Sequence, residues 1–225
     1  NILIDAGLSG KGIERRLEKC GVKGCDLDAI LVTHEHSDHI KGVGVLSRRY
    51  DLPVYANELT WSGSEKKLGK IKDSNYKIFD SDFMVGDLGV CPFSTSHDAS
   101  DPVGYVIQFK NKKLGIVTDT GSISKEVKNK LKGLNFLIVE ANHDLEMLMN
   151  GSYPYHLKKR IRSKKGHLSN DYTAELLPDL IDVDNPGILL AHLSKDNNMP
   201  ELAYITIKNR LEKRGYQIGR DLEID

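Results

Sequence analysis

The segment at residues 33–39, Thr-His-Glu-His-Ser-Asp-His, constrains the fold more than any other part of this chain. It directly follows the apolar run 29–32, which has the length and composition of a buried strand. Four potential metal ligands lie within six residues at the end of that strand: His34, His36, Asp38 and His39. Side chains alternate along a strand, so His34 and His36 are expected to point the same way. Imidazoles combined with one carboxylate suit zinc, manganese or iron.

Three later strands are each followed by one further potential ligand. His97 follows the run 90–94, Asp119 follows 114–117, and His192 follows 187–191. Taken alone, a histidine or aspartate at a strand end more often caps a turn or makes a hydrogen bond. Taken together, and in this order after the first cluster, the three predict a metal centre to which several strand ends contribute ligands.

Short apolar runs alternate with amphipathic segments along most of the chain, which predicts an α+β fold. Strands are predicted at residues 2–4, 29–33, 53–56, 136–139, 187–191 and 222–224. Helices are predicted at 9–21, 43–50, 57–63, 124–131, 170–177 and 201–214. Five strand candidates between residues 76 and 117 are separated by short turns and predict an antiparallel meander. The mixture predicts two packed sheets with helices outside, in one domain over residues 1–225.

The charge balance bears on the kind of partner this chain can bind. The sequence has 32 Lys and Arg against 32 Asp and Glu, so a polyanion must be met by a local patch. One such run, residues 156–165, contains no acidic residue and six basic ones: Lys158, Lys159, Arg160, Arg162, Lys164 and Lys165. It fits either a solvated helix face or a clamp for phosphates. Aromatic residues make up only 7 % of the chain, so base stacking is not expected.

The cysteines and the apolar runs predict the compartment. The three cysteines lack paired spacing, which is typical of free thiols in a reducing cytoplasm. No apolar run approaches the ~18–20 residues of a membrane span, and the first residues lack the features of a signal peptide. We therefore expect a cytoplasmic protein without a membrane partner; its oligomeric state is not predicted. The chain starts like a strand entered without its beginning, so we expect residues upstream in the native protein.

These motifs resemble the metallo-β-lactamase superfamily, whose hallmark His-x-His-x-Asp-His matches residues 34–39, followed by single His, Asp and His motifs. Within it the chain is similar to the YycJ/WalJ-type, VicX-like branch, also through residues 3–9, 140–144 and 192–198. The resemblance covers nearly the whole chain, apart from a Ser/Gly-rich strand and turn that such proteins have before the first of these phrases. It implies an αββα four-layer sandwich.

The resemblance also implies a set of ligands for two divalent ions, zinc or manganese, with iron also suitable. The first ion takes His34, His36 and His97; the second takes Asp38, His39 and His192; Asp119 bridges them. Two cations about 3.5–4 Å apart lower the pKa of a shared water and stabilise the attacking and leaving oxygens. Thr33, Asp5 and Ser194 are expected to orient the imidazoles, although turn and cap roles fit them equally well.

Two further residues resemble the Glu–His dyad of the tRNA-processing endonuclease branch, whose histidine assists departure of the leaving group. They are Glu140, after the strand 136–139, and His167. A carboxylate that holds the imidazole would fix its tautomer for general acid catalysis. The alternative is that His167 only caps the helix beginning near residue 170. The predicted catalytic residues are thus Asp38, Glu140 and His167, while Ser194 and the basic run are predicted to bind substrate.

The leading functional prediction is a dinuclear metal-dependent phosphodiesterase, most specifically a DNA 5′-to-3′ exonuclease, an assignment that the resemblance implies. A phosphodiesterase acting on RNA or on a small cyclic substrate is the first alternative. A lactonase or thioesterase of the glyoxalase kind would have little use for His167 or the basic run. A regulatory protein with vestigial metal sites is disfavoured because the set of ligands is complete.

Overall fold

The structure, a computed structural model, describes residues 1–181 and 186–225. The chain forms two compact units, and the first comprises Asn1–Val90 with Ala99–Val103. The second comprises Cys91–Asp98 with Gly104–Asp225. The single domain expected over residues 1–225 stays a prediction. In the described ranges, every helix is too short or too polar to cross a membrane.

The helices and strands of unit 1 follow one another in chain order. They are β1 (Ile2–Ile4), α1 (Gly10–Lys19), β2 (Ala29–Leu31), α2 (Ser37–Ile40), α3 (Val43–Tyr50), β3 (Val54–Ala56), α4 (Glu58–Leu68), β4 (Tyr76–Ile78), β5 (Phe83–Val85) and the first part of β6 (Leu88–Ser94). Those of unit 2 are the rest of β6, β7 (Val103–Phe109), β8 (Lys112–Val117), α5 (Lys125–Lys130), β9 (Phe136–Glu140), α6 (Leu145–Asn150), α7 (Tyr155–Ile161), α8 (Asn170–Leu176), β10 (Gly187–Ala191), α9 (Pro200–Lys213) and β11 (Glu223–Ile224).

Unit 1 is built on a parallel sheet of order β1-β2-β3-β4. All three residues of β2 are buried, in line with its uninterrupted apolar sequence. Ser9 caps α1 by accepting a hydrogen bond from Gly12 N, and Asn57 caps α4 by accepting one from Thr60 N. The helix α4 runs five residues beyond its predicted end at Gly63 and stops at Gly69, whose φ of 69° favours glycine.

The predicted antiparallel meander is wrong at its first strand. β4 pairs in parallel with β3, because α4 connects the two strands as a crossover and returns the chain in the same direction. β5 and β6 do form an antiparallel hairpin that turns at Gly86, and β7 and β8 form another. Alternating apolar residues look the same in a parallel and an antiparallel edge strand, so the sequence did not distinguish the two.

Unit 2 is built on strands in the order β11-β10-β9-β8-β7-β6. β8, β9, β10 and β11 run parallel, with Val117 opposite Val139 and Glu140 opposite Ala191. Their carboxyl ends therefore lie at one edge of the sheet, as in other parallel sheets that carry sites there. The core beneath that edge includes Val117, Val139 and Leu168, each at most 1 % exposed. Two short helices, α6 and α7, were not predicted.

Candidate metal centre

The histidine motif of unit 1 occupies the turn between β2 and α2. His34 is fully buried, whereas the Asp38 side chain at the start of α2 is 72 % exposed. The Nε2 atom of His34 lies 3.0 Å from the Nδ1 atom of His36. Two nitrogens bound to one tetrahedral zinc ion at 2.0–2.1 Å are about 3.3 Å apart. The pair is thus placed as two ligands of a single ion would be, and both imidazoles point the same way, as expected.

Asp5 orients this motif from the end of β1. Its Oδ1 accepts a hydrogen bond from Thr33 N (2.8 Å), and its Oδ2 accepts from Thr33 Oγ1 and from His39 Nδ1 (both 2.7 Å). The Thr33 hydroxyl has one hydrogen atom, which it donates to Asp5. Its oxygen therefore accepts the hydrogen bond from His34 Nδ1 at 2.9 Å. Asp5 therefore fixes the tautomers of both imidazoles, with the hydrogen atom on each Nδ1. The orienting roles predicted for Asp5 and Thr33 match this geometry.

The turn after β1 packs against the motif without space for side chains. A Cβ atom on Gly7 would lie 1.5 Å from the carbonyl oxygen of Asp38, so only glycine fits. Ala6 N donates to His39 O (2.6 Å), and Gly42 N donates to Ala6 O (2.7 Å). The sequence Asp5-Ala6-Gly7 thus holds the backbone of α2 in place at Asp38 and His39.

Glu35, between the two histidines, has a structural role in unit 1. Its Oε1 accepts hydrogen bonds from Ser100 N (2.8 Å) and Ser100 Oγ (2.7 Å). Burial raises the pKa of Glu35, but these hydrogen bonds outweigh it and hold the pKa below its usual value. The carboxylate therefore ties the segment Ala99–Val103 to the motif.

Glu140 is the central carboxylate of unit 2 and the last residue of β9. It is fully buried and accepts four hydrogen bonds. Its Oε1 accepts from the Nδ1 atoms of His167 and His192, both at 2.7 Å. Its Oε2 accepts from the amides of Thr120 (3.2 Å) and Leu168 (3.0 Å). Burial raises the pKa of Glu140, but the hydrogen bonds from the two histidines outweigh it and lower the pKa to about 2.

The imidazoles of His97 and His192 both lie next to Asp119, which is 3 % exposed and lies two residues beyond β8. His97 Nδ1 lies 3.2 Å from Gly166 O, and His192 Nδ1 lies 2.7 Å from Glu140 Oε1. Because a carbonyl and a carboxylate oxygen can only accept, both Nδ1 atoms are the donors. The Nε2 atoms of His97 and His192 then lie 3.8 and 3.3 Å from Asp119 Oδ1. Burial lowers the pKa of His97 and so favours its neutral form. Two imidazoles beside a buried carboxylate are a set of ligand types that fits a divalent metal.

Three residues of the candidate site have an unusual backbone conformation. Asp5, Asp119 and His192 have φ values of 57°, 53° and 57°, in the left-handed region that non-glycine residues rarely adopt. Each costs about 1–3 kcal/mol relative to a relaxed residue. Asp and His tolerate this region better than most residues, and such strain concentrates at functional sites. The conformation turns each side chain sharply at the end of its strand.

His167 lies in a cavity of about 350 Å³ within unit 2. The same cavity is lined by His97, His192, Asn142, Arg160 and Ser194, among others. The loop before His167 is held by Ser96 Oγ, which donates to Lys164 O (2.7 Å), and passes so close to Gly121 that a Cβ there would lie 2.2 Å from Ser163 O. The His167 side chain is 20 % exposed, so one ring edge reaches the cavity while Nδ1 is held by Glu140.

The basic run divides into two groups. Lys158 Nζ donates to the carbonyls of Met149 and Gly151 (both 2.7 Å) and so caps α6, and Arg160 pairs with Asp98, with Nε to Oδ2 at 2.6 Å. The remaining four side chains are exposed: Lys159, Arg162, Lys164 and Lys165. Arg162 also donates to Met149 Sδ at 3.3 Å. Of the predicted substrate-binding residues, only Arg160, Lys165 and Ser194 line the cavity.

Ser194 makes a contact that the sequence left open, and two further site residues were missed. Ser194 Oγ accepts from Asn197 N at 3.2 Å, which fits the predicted turn role. Asn142 was missed as a site residue, although it lies in the phrase 140–144; its Nδ2 donates to His192 O at 2.8 Å. Asp98 was also missed, and its position directly after His97 is the available signal. The dual role of Glu140, which holds both His167 and His192, has no local signal in the sequence.

Replacing Glu140 by alanine is expected to lower the free energy of unfolding by about 3–5 kcal/mol, because the buried donors around it lose their acceptor. Urea denaturation with a chelator in all samples measures this apart from metal binding. Glu146→Ala, an exposed glutamate on α6, is the matched control and is expected to change stability by less than about 0.5 kcal/mol. A Glu140→Ala effect no larger than the control's would contradict this role of the carboxylate.

Comparison with known proteins places the chain among hydrolases. Residues 1–190 match the family model of the β-lactamase superfamily domain. The chain is 46 % identical over 225 residues to exodeoxyribonuclease YycJ of Bacillus anthracis, covering 99 % of this chain and 85 % of that protein. It is 44 % identical over 227 residues to exodeoxyribonuclease WalJ of Streptococcus pneumoniae, covering 99 % and 84 %. The metallo-β-lactamase fold protein YhfI from Bacillus subtilis has a TM-score of 0.71 at 16 % identity, covering 100 % and 84 %.

Proposed function

Since this chain belongs to the metallo-β-lactamase superfamily, we propose that it is a metal-dependent exodeoxyribonuclease that hydrolyses phosphodiester bonds. The similarity to two exodeoxyribonucleases over 99 % of the chain carries this proposal. The superfamily resemblance and the α+β metallo-β-lactamase fold expected from the sequence are confirmed. Cleavage from the 5′ end, a preference for DNA over RNA and a cytoplasmic location are the finer parts of the proposal.

The metal assignment that the family motif implies is part of this proposal. One ion would be held by His34, His36 and His97, the other by Asp38, His39 and His192, with Asp119 between them. The geometry within each unit supports it, because hydrogen bonds from Nδ1 to Asp5, Glu140 and Gly166 orient the imidazoles of His39, His192 and His97. When bound, the ions supply an activated water and charge stabilisation for the transition state. Whether they are zinc or manganese depends on availability more than on these donors.

The protein's own groups have three tasks in the proposed reaction. Asp5, Thr33 and Glu140 hold the imidazoles in fixed tautomers, so that no reorganisation is needed during the reaction. Protonated His167 passes its Nε2 proton to the leaving oxygen as the phosphorus–oxygen bond breaks, while Glu140 accepts from Nδ1 throughout. Arg160, Lys165 and Ser194 line the cavity beside His167 and contact the phosphate or sugar of the substrate.

A panel of substrates tests the proposed function. Single- and double-stranded DNA and RNA labelled at the 5′ end, a cyclic dinucleotide, a lactone and a thioester are incubated with the full chain in Mn²⁺ or Zn²⁺. We expect stepwise release of 5′-terminal nucleotides from DNA, and no release after chelation. Faster turnover of RNA or of the cyclic dinucleotide would show that this molecule, and not DNA, is the substrate. Faster turnover of the lactone or thioester would overturn the phosphodiesterase assignment.

A further inference from the structure

Helix α7 carries an exposed aromatic residue beside the candidate active centre. None of its seven residues is buried, and Tyr155 at its start is 76 % exposed. An exposed tyrosine of this extent contributes little to the stability of the fold, since burial of its ring is what would stabilise it. The ring is therefore available for a contact outside the fold, and its neighbours on the helix indicate which one.

Tyr155 and Lys159 of α7 and Arg162, which caps its end, are spaced i, i+4 and i+7 on one side of the helix, and we call them the α7 stripe. All three are exposed. The opposite face carries Leu157 and Ile161, which are half-buried and line the cavity that contains His167. One short helix thus has a cavity-lining face and an aromatic, basic outer face.

The helix is also held rigidly at several points. Lys158 is fixed to the carbonyls of Met149 and Gly151, and Arg160 is paired with Asp98. Both contacts hold the helix in place, and Arg160 also lines the cavity. Both cations of the α7 stripe are exposed, although one Nη atom of Arg162 also donates to Met149 Sδ at 3.3 Å. Residues 156–165 contain no acidic side chain. The charge of the stripe is complementary to a phosphate backbone.

We propose that the α7 stripe binds single-stranded DNA, with the ring of Tyr155 stacked on a base and with Lys159 and Arg162 at neighbouring phosphates. This inference rests on the proposed function and names the form of its substrate. An aromatic ring interleaved with cations is the arrangement by which single strands are bound without sequence preference. Bases of a duplex are already stacked on each other, so Tyr155 adds nothing to duplex binding. The stripe therefore guides an unpaired strand toward the cavity on the other face of α7.

Fluorescence anisotropy of a labelled 20-nucleotide strand tests the proposal, with phosphorothioate linkages to slow cleavage by the full chain. Tyr155→Ala is expected to weaken single-strand binding about tenfold at constant salt dependence, and Tyr155→Trp to restore it. Lys159→Ala and Arg162→Ala are each expected to reduce the slope of log K against log salt by about 0.7. Phe109→Ala and Lys125→Ala, exposed residues of unit 2 outside the stripe, are the matched controls. Melting temperatures establish that each variant is folded.

Three outcomes would overturn the proposal. Unchanged single-strand affinity of Tyr155→Ala would remove the stacking role, and an equal loss for duplex DNA would remove the single-strand preference. Tighter binding of a matched RNA strand would assign the stripe to RNA. Nuclease assays on the same preparations separate this inference from the proposed function. Active wild-type protein whose strand affinity does not depend on Tyr155 contradicts only the stripe, whereas strand binding without any hydrolysis contradicts only the nuclease assignment.

Discussion

Replacing Asp119 by asparagine is expected to remove bound metal and to lower DNA hydrolysis by more than about 10³-fold, because several kcal/mol of transition-state stabilisation depend on the ions. The variant removes the negative charge next to His97 and His192 Nε2 while keeping the shape of the side chain. Asparagine also tolerates the φ of 53° at this position, whereas alanine would add strain. Elemental analysis after dialysis gives the metal content, and a 5′-labelled DNA assay gives the rate.

Asp51→Asn is a matched control for this experiment. Asp51 has the same φ of 53° and is also an aspartate, but it lies exposed at the end of α3 and pairs with Lys72. We expect its metal content and rate to equal those of the wild type. Full metal content and activity in Asp119→Asn would show that the carboxylate does not hold an ion, and the bridging assignment would then be wrong.

Replacing His167 by alanine is expected to slow hydrolysis of DNA about 10²–10⁴-fold with the metal content unchanged, as for loss of a general acid. Glu140 holds the imidazole, which is not one of the proposed metal ligands, and the ring lines the cavity. The diagnostic substrate is a p-nitrophenyl phosphodiester of thymidine, whose leaving group departs without a proton. The rate of His167→Ala on that substrate is expected to approach that of the wild type.

His156→Ala is the control, because His156 is an exposed histidine on α7. Its rates on both substrates are expected to stay within about twofold of the wild type, since exposed positions rarely affect the transition state. If His167→Ala loses metal, the histidine is a ligand. If it slows both substrates equally, the residue positions the substrate and donates no proton to the leaving group.

Features of the site that depend on residues close together in the sequence could be predicted, and those that depend on distant residues could not. Residues 34–39 were identified because ligand chemistry and the strand before them are encoded within a few neighbouring positions. The helix caps Ser9 and Asn57 were found for the same reason, since a cap bonds only to the next turn. The pairing of Glu140 with His167 was expected from a family resemblance, and the structure places these side chains 2.7 Å apart.

The sequence by itself determined the types of the candidate ligands, their order at strand ends and most of the elements that carry them. Only the tertiary structure decided that Glu140 holds His192 as well as His167, that Lys158 and Arg160 bind within the protein, and that β4 joins a parallel sheet. The physical reason is the same in each case. Contacts between residues many positions apart depend on how strands and loops pack, and neither residue type nor periodicity records which distant partner a side chain meets.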